Sequence, residues 1–236
     1  MLDVQVPSNR LDTFPPFRVE ELPQGMPVRF QSDMAALHMA SNVFVAIVRR
    51  YELWRAIAKD HDFVAKIHNT KTAHAMNTIV GVLKPSLVVS LTALFDSDSN
   101  GVSLKRILNT LLQPEAAVPL ERYHRTWREN IPVRLDTHDA LSRHKRVRSR
   151  INRDPLGEAV SRLRDLRNQE AAHFSLQQLG SGDRAVNGDL DLVLAVAANV
   201  IVSCNLIAAG RHISASYFRG LAKTEANILR NSITPI

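Results

Sequence analysis

The longest regular pattern of apolar positions in this chain lies between Asp33 and about Lys59. Its apolar side chains recur at steps of three and four residues, the spacing that places them on one face of an α-helix. Ser32 and Asp33 precede the pattern and are residue types that begin helices, so the sequence predicts an amphipathic helix starting there. The apolar positions are Leu37, Ala40, Phe44, Ile47, Val48, Tyr51 and Trp54.

The same signals predict further helices along the rest of the chain. Pro85 lies inside one of them, Ser103 is an N-cap candidate for a second, and Asp154-Pro155 is a start signal for a third. Asp189 or Asp191 is the start expected for the last long helix. The expected ranges are 69–95, 104–112, 155–178 and 189–210, with short pieces such as 121–129 between the second and third. No strand-like alternation is visible, so the fold class is all-α, a bundle of four to five long helices.

The first 31 residues differ in composition from the rest of the chain. They contain Pro7, Pro15, Pro16, Pro23 and Pro27. Proline at this spacing prevents a long helix, so we expect an extended N-terminal arm. The predicted organisation is therefore an arm over residues 1–31 and a single helical domain over residues 32–236.

The positive charge of the chain is concentrated in one segment. The formal net charge is +7, and six basic residues without an acidic one lie between positions 143 and 153. Clustered cations bind a polyanion such as RNA better than a diffuse excess does, although a solvated helix face is an equally good interpretation. The six residues are Arg143, Lys145, Arg146, Arg148, Arg150 and Arg153.

Several classes of protein are disfavoured by what the sequence lacks. The start has no basic segment followed by an apolar one, and the single cysteine, Cys204, excludes an intramolecular disulfide framework. The apolar run from Leu190 to Ala209 is interrupted by polar residues, which favours a buried helix over a membrane span. A single cysteine and the absence of a glycine-rich phosphate loop lead us to expect neither metal nor nucleotide cofactor. We therefore expect a cytoplasmic protein without a membrane partner.

The predicted helix 155–178 carries charge in an unusual place. At ~100° per residue, Arg167 and Glu170 fall within the arc of its apolar residues, and His173 falls on the edge of that arc. An unpaired buried charge costs several kcal/mol, so these residues need partners. An Arg167–Glu170 ion pair is one explanation, and a polar pocket lined by Arg167, Glu170 and His173 is the other. The apolar residues are Leu156, Ala159, Leu163, Leu166 and Phe174.

Three segments together carry a resemblance to a known family. They are Arg167-Asn168 followed by His173, the segment Leu91-Thr92-Ala93-Leu94-Phe95-Asp96, and the segment Val102-Ser103-Leu104-Lys105-Arg106-Ile107-Leu108. The combination resembles the HEPN superfamily, and within it the abortive-infection U-type HEPN proteins of bacteria. The Arg-to-His spacing alone is not specific, because Arg55 and His61 share it without the following Asn.

This resemblance implies a metal-independent ribonuclease that acts as a dimer. His173 would be the general acid or base, Arg167 would bind the scissile phosphate, and Asn168 would orient either group. Glu170 would support the site, and Asp96 would either close the end of its helix or point into the same cleft. Residues six apart on a helix are ~120° apart around the axis and ~9 Å apart along it. We therefore expect a homodimer through the face of helix 155–178, in which Arg167 of one subunit approaches His173 of the other.

Three alternatives about activity and partners stay open at this stage. The family resemblance also allows a protein that binds RNA or another protein without cutting, and a toxin would have a cognate antitoxin as partner. A di-iron carboxylate bundle is the weakest alternative, suggested by the Glu-x-x-His pairs Glu121/His124 and Glu170/His173. Such a site also needs a Glu from each of two other long helices, and the helix predicted for 69–95 has no carboxylate before Asp96.

Overall fold

The computed structural model describes residues 28–96, 102–113, 142, 145–149, 151, 153–172, 183–209 and 215–233. These residues form helices and contain no strand, which confirms the all-α class. The helices are α1 (Val28–Ala58), α2 (His61–Ile67), α3 (Lys71–Phe95), α4 (Leu104–Leu111), α5 (Leu156–Ala172), α6 (Asp183–Ala209) and α7 (Ala215–Ser232). A short helical stretch at 145–149 precedes α5.

Helix α1 is the central element of the bundle and packs against α3, α4, α6 and α7. All seven apolar positions predicted for it are buried, with none more than 3% exposed. They join apolar side chains of α3, α4, α5 and α6 in one core. The periodic pattern therefore identified the inner face of α1 correctly, and the five longest helices of the described residues form the predicted bundle.

The predicted start of α1 was wrong by several residues. The helix begins at Val28, directly after Pro27, and Asp33 lies within it. The Asp33 side chain is 1% exposed, accepts a hydrogen bond from Thr110 Oγ1 at 2.6 Å, and pairs with Arg106 at 3.0 Å. Asp33 therefore anchors α4 to α1 instead of capping a helix. The division into an arm and a domain stays a prediction, because residues 1–27 lie outside the described residues.

The predicted start of the last long helix was also wrong, because acidic residues taken for helix caps again lie inside the helix. Helix α6 begins at Asp183, so Asp189 and Asp191 are both internal. The Asp189 carboxylate accepts two hydrogen bonds from Arg162 of α5, each of 2.8 Å, and Asp191 accepts one from the Tyr51 hydroxyl of α1. Both acidic residues thus connect α6 to neighbouring helices. Their hydrogen bonds to Arg162 and Tyr51 explain why both acidic residues lie inside the helix and not at its start.

The middle helices agree with the sequence. Thr70 caps α3 by accepting a hydrogen bond from the Ala73 N–H, and Ser103 caps α4 by accepting one from the Arg106 N–H. Helix α3 contains Pro85, and α5 occupies the first part of the range predicted as 155–178. The predicted piece 121–129 lies outside the described residues.

Two helical segments are long and apolar enough to cross a membrane by length and composition alone. One is the segment 187–206 of α6, of which 61% is buried, and its polar Asn205 donates hydrogen bonds to Ser41 Oγ and to the Ile201 carbonyl. This segment is a core helix, as the sequence predicted. The other is α3, which is less buried, with 39% of its most apolar 18-residue stretch inside the bundle, because one apolar face points to solvent.

Candidate functional site

Arg167 lies where α5 packs against the end of α3. Its Nη1 donates to the Asp96 carboxylate at 2.9 Å and to Thr92 Oγ1 at 3.4 Å, and its side chain is 28% exposed. Leu163, one turn earlier on α5, is fully buried, so Arg167 lies next to buried apolar positions, within the arc that the sequence assigned to it. The cation is thus paired with a residue of another helix. The predicted pairing with Glu170 stays a prediction, since that side chain lies outside the described residues.

Asp96 has two roles that the sequence left as alternatives. It ends α3 as the C-cap residue, and its backbone N–H donates to the Ala93 carbonyl. Its carboxylate also binds two arginines of α5, with Oδ2 accepting from Arg167 and Oδ1 from Arg164. The carboxylate therefore holds both guanidinium groups beside each other at the end of α3.

Arg164 is the site residue that sequence reasoning missed. Its Nε donates to Asp96 at 3.1 Å, its Nη2 donates to the Phe95 carbonyl at 2.8 Å, and its side chain is 35% exposed. The available signal was its position three residues before Arg167, which places both on one face of α5. We call Arg164, Asp96 and Arg167 the arginine cluster. Two cations and one carboxylate give it a formal charge of +1.

The α5 helix holds this cluster in place through its apolar residues. Leu156, Ala159 and Leu163 are buried in the core, and Leu166 packs partly against it. Asn168 follows Arg167 on the exposed side, where its Oδ1 accepts a 3.4 Å hydrogen bond from Arg167 Nε. The structure thus brings Arg167, Asn168 and Asp96 together.

Two predicted members of the site cannot be placed. His173 follows Ala172, the last described residue of α5, and lies outside the described residues with Phe174. The backbone of Glu170 belongs to α5, but its side chain is not among those that the structure describes. Their roles stay predictions.

The predicted basic segment is described in part. Lys145, Arg146 and Arg148 are exposed on the helical stretch 145–149, and Arg153 is exposed beyond it. Val147 and Ile151, four residues apart, pack partly against the core. The stretch therefore turns its apolar side inward and its cations to solvent, which fits both predicted interpretations. Arg143 and Arg150 lie outside the described residues.

The described residues contain no group of three His, Cys, Asp or Glu side chains that could hold a metal. Glu52, the one carboxylate well inside α1 that a di-iron site could use, is buried and binds Arg219, with Arg55 at 4.0 Å. A carboxylate neutralised by cations is a poor metal ligand. Glu121, His124 and His173 lie outside the described residues, so the rest of that hypothesis is untested.

The arginine cluster has the chemistry to bind an anion. A guanidinium carries five N–H donors in a fork that matches a phosphate, and it does not exchange protons near neutrality. Proton transfer therefore needs another group.

The comparisons with known proteins identify the family. The sequence profile of the AbiU2 family of HEPN proteins matches residues 35–228, which spans α1 to α7 and includes every element of the arginine cluster. Searches of curated proteins and of solved structures found no significant match. Because the profile match covers most of its length, this chain belongs to the AbiU2 family of HEPN proteins.

Proposed function

We propose that this protein is a metal-independent endoribonuclease of the HEPN type, acting as an abortive-infection toxin in antiphage defence. The observation that carries the proposal is the arginine cluster, in which Asp96 holds Arg167 partly exposed beside Asn168. Family membership supports the class of protein. The cluster supports the substrate, because a partly exposed guanidinium with a net positive surrounding favours a phosphate group.

In the proposed reaction, Arg167 binds the scissile phosphate of RNA. Its contacts with Asp96, Thr92 and Asn168 use Nη1 and Nε, so donors remain for phosphate oxygens. Fixing the guanidinium before substrate arrives avoids reorganisation when negative charge develops on the phosphate. Arg164 adds a second cation within the same contact.

His173 performs the proton transfers in this proposal. The ribose 2′-oxygen attacks phosphorus as its proton passes to a base, and the bond from phosphorus to the 5′-oxygen breaks as that oxygen takes a proton from an acid. The products are a 2′,3′-cyclic phosphate and a 5′-hydroxyl. The unperturbed pKa of imidazole lies near neutrality, so histidine serves in either step.

A dimer completes the proposed site. Arg167 and the position of His173 are six residues apart, which on one helix is ~120° around the axis and ~9 Å along it. One chain therefore cannot easily direct both side chains at a single phosphate. Across a twofold axis, Arg167 of one subunit approaches His173 of the other.

We expect purified protein to cleave single-stranded RNA in the presence of EDTA. The measurement is electrophoresis of end-labelled RNA, followed by mass spectrometry of the 3′ ends of the products. Cyclic phosphate ends at EDTA-insensitive sites support the proposal. The proposal is contradicted if cleavage depends completely on an added divalent metal. It is also contradicted if a folded dimer does not cleave any RNA when it is incubated with total cellular RNA.

The main alternative is a member of the family that binds RNA without cutting it. The exposed basic residues of the 145–149 stretch favour an RNA contact in either case. The absence of cleavage combined with tight RNA binding would select this alternative.

Changing Arg146 and Arg148 together to Gln should weaken RNA binding at every sequence tested. Each lost phosphate contact should reduce the slope of log affinity against log salt by about 1, so the double variant should lose about 2. Fluorescence anisotropy over a range of salt concentrations measures this slope. A matched control changes Lys66 and Lys223, which are exposed on α2 and α7, to Gln. Equal slopes for both double variants would contradict an RNA contact at this stretch.

Control of such a toxin requires a neutralising partner in its host, which we propose as a cognate antitoxin in the same cytoplasm. The buried Cys204, the one cysteine of the chain, is compatible with a reducing compartment.

A further inference from the structure

Two arginines meet at a buried tyrosine where α7 packs against α1. The guanidinium carbons of Arg55 and Arg219 lie 5.6 Å and 5.7 Å from the centre of the Tyr51 ring. Both arginines also approach the same oxygen of the buried Glu52 carboxylate, with Arg219 Nε at 2.5 Å and Arg55 Nη1 at 4.0 Å from Oε1. We call Arg55, Arg219 and Glu52 the α1–α7 cluster.

Most N–H donors of these two arginines are unused among the residues that the structure describes. Arg219 donates its Nε–H to Glu52, and its two terminal nitrogens donate to no described group. The 4.0 Å between Arg55 and Glu52 is too long for a hydrogen bond, so the guanidinium of Arg55 keeps all of its donors. The two side chains are 43% and 51% exposed, which leaves these donors accessible from solvent.

Anchoring of α7 to α1 does not account for this arrangement. One hydrogen bond from Arg219 to Glu52 joins the two helices, and Arg55 adds none because it lies on α1 itself. A second guanidinium beside a carboxylate that is already paired is repelled by the first, unless another anion is present. The α1–α7 cluster thus has the composition of the arginine cluster, with two arginines beside one carboxylate.

The neighbouring charges leave the cluster with an excess of positive charge. Asp191 accepts a hydrogen bond from the Tyr51 hydroxyl and interacts electrostatically with Arg219, so it offsets one cation. Lys59 is exposed one turn after Arg55 on α1, with its Nζ 4.9 Å from the centre of the Trp54 ring. Three cations and two carboxylates together give a formal charge of +1, which favours an anionic ligand.

We propose that the α1–α7 cluster is a binding site for a phosphate group, separate from the proposed cleavage site. Because both arginines approach one oxygen of Glu52, both can also reach the oxygens of a single phosphate. The aromatic ring and the carboxylate hold the guanidinium groups in place, so binding costs little side-chain entropy. Tyr51 and Trp54 are at most 3% exposed, so a base cannot stack on either ring and the phosphate alone is recognised.

The position of the α1–α7 cluster separates it from the arginine cluster of α5. Helix α1 runs antiparallel to α3, because the end of α1 and the start of α3 share a small apolar cluster. Arg50 donates to Ser90 of α3, and Arg55 lies five residues further along α1, away from the end of α3 at Asp96. A rise of 1.5 Å per residue places the two clusters ~16 Å apart along the bundle. One phosphate therefore cannot bind to both.

Trp54 provides a local reporter of binding. The chain contains two tryptophans, Trp54 and Trp127, and the Trp54 ring lies 5.9 Å from that of Tyr51. In a Trp127→Phe protein, pyrophosphate should therefore change the fluorescence with a saturable dependence on concentration. Sodium chloride at the same ionic strength should not, because a guanidinium pair binds phosphate oxygens through directed hydrogen bonds. No saturable change, or the same change with chloride, overturns the proposal.

Arg55→Gln in this Trp127→Phe protein should weaken the binding of pyrophosphate about 10- to 100-fold, the effect of losing hydrogen bonds from one charged donor. The bond from Arg219 to Glu52 remains, so circular dichroism should show an unchanged fold. Arg49→Gln is the matched control, because Arg49 also lies on α1 but pairs with the exposed Glu225 at 3.2 Å. It should bind pyrophosphate as tightly as the parent protein. Equal losses in both variants overturn the proposal.

Two further ligands identify the source of the phosphate. A 2′-O-methyl RNA with a 5′-hydroxyl end offers backbone phosphates and has no 2′-hydroxyl that could attack, whereas uridine diphosphate offers the terminal phosphate of a free nucleotide. Tighter binding of the RNA assigns the site to the nucleic-acid backbone, and tighter binding of the nucleotide assigns it to a small ligand. Either result supports the site, and binding of neither ligand overturns it. The readout does not involve cleavage, so failure of the nuclease proposal leaves this inference intact.

Discussion

His173→Ala should lower the rate of RNA cleavage by about 10²–10⁴ without changing the fold or the oligomeric state. The expected loss is that of a general acid or base, because the arginine cluster keeps its contacts when the imidazole is removed. Binding of RNA should be nearly unchanged, since Arg164, Arg167 and the exposed basic stretch remain. The loss should therefore fall on kcat and not on KM.

Single-turnover cleavage of a labelled RNA measures this effect over a range of pH. The wild-type rate should depend on pH near the ordinary pKa of histidine, and the residual rate of the variant should lose that dependence. His61→Ala is the matched control. His61 has the same spacing from Arg55 as His173 has from Arg167, is exposed at the start of α2, and lacks the Asn after the arginine. Wild-type cleavage by His173→Ala would remove the histidine from the mechanism.

The core of this fold could be predicted from the sequence because burial follows the helical period. Every apolar position assigned to the inner face of α1 is buried, from Leu37 to Trp54. Cys204 is likewise buried in α6, as its apolar neighbours indicated. These assignments depend on a repeating signal within one helix, so they need no knowledge of the neighbouring helices.

The helix starts were predicted less accurately, because an acidic residue can either cap a helix or bond to a neighbouring helix. Asp33, Asp189 and Asp191 each resemble N-cap residues, yet each lies inside a helix and bonds to a residue of another helix. Thr110 is 77 positions from Asp33, and Arg162 is 27 positions from Asp189. Tyr51 is 140 positions from Asp191. Contacts at that separation leave no periodic signal in the sequence.

The same limit applies to the candidate site. The position of Arg167 within the apolar arc of its helix was visible from the helical period, but its partner Asp96 is 71 positions away. The resemblance to the family supplied both segments, and the structure supplied the bond between them. Arg164 was missed because it matches no motif, although it makes two hydrogen bonds to the same end of α3.

Asp96→Asn should lower kcat for RNA cleavage by about 10- to 100-fold. The neutral amide keeps one oxygen and replaces the other with an NH₂ donor, so one of the two arginines loses the oxygen that accepts its hydrogen bond. A hydrogen bond to a charged group contributes about 1.5–3 kcal/mol, and loss of one such bond in the transition state gives this range. Two guanidinium groups would also stand side by side without the anion between them. Since all three side chains are partly exposed, solvent should limit the loss of stability to about 1 kcal/mol.

The kinetic effect and the stability effect can be separated. Urea unfolding followed by circular dichroism gives the free energy of unfolding, and single-turnover kinetics gives the rate at saturating RNA. Asp165→Asn removes an exposed carboxylate next to Arg164 on α5 and should leave both quantities unchanged. Arg164→Ala should reproduce the kinetic loss of Asp96→Asn, because Arg164 positions the carboxylate that positions Arg167. If Asp96→Asn lowers stability while cleavage stays at the wild-type rate, Asp96 only closes the end of α3. A fall in kcat in both variants, with an unchanged Asp165→Asn protein, is the pattern expected when Asp96 orients Arg167 toward the phosphate.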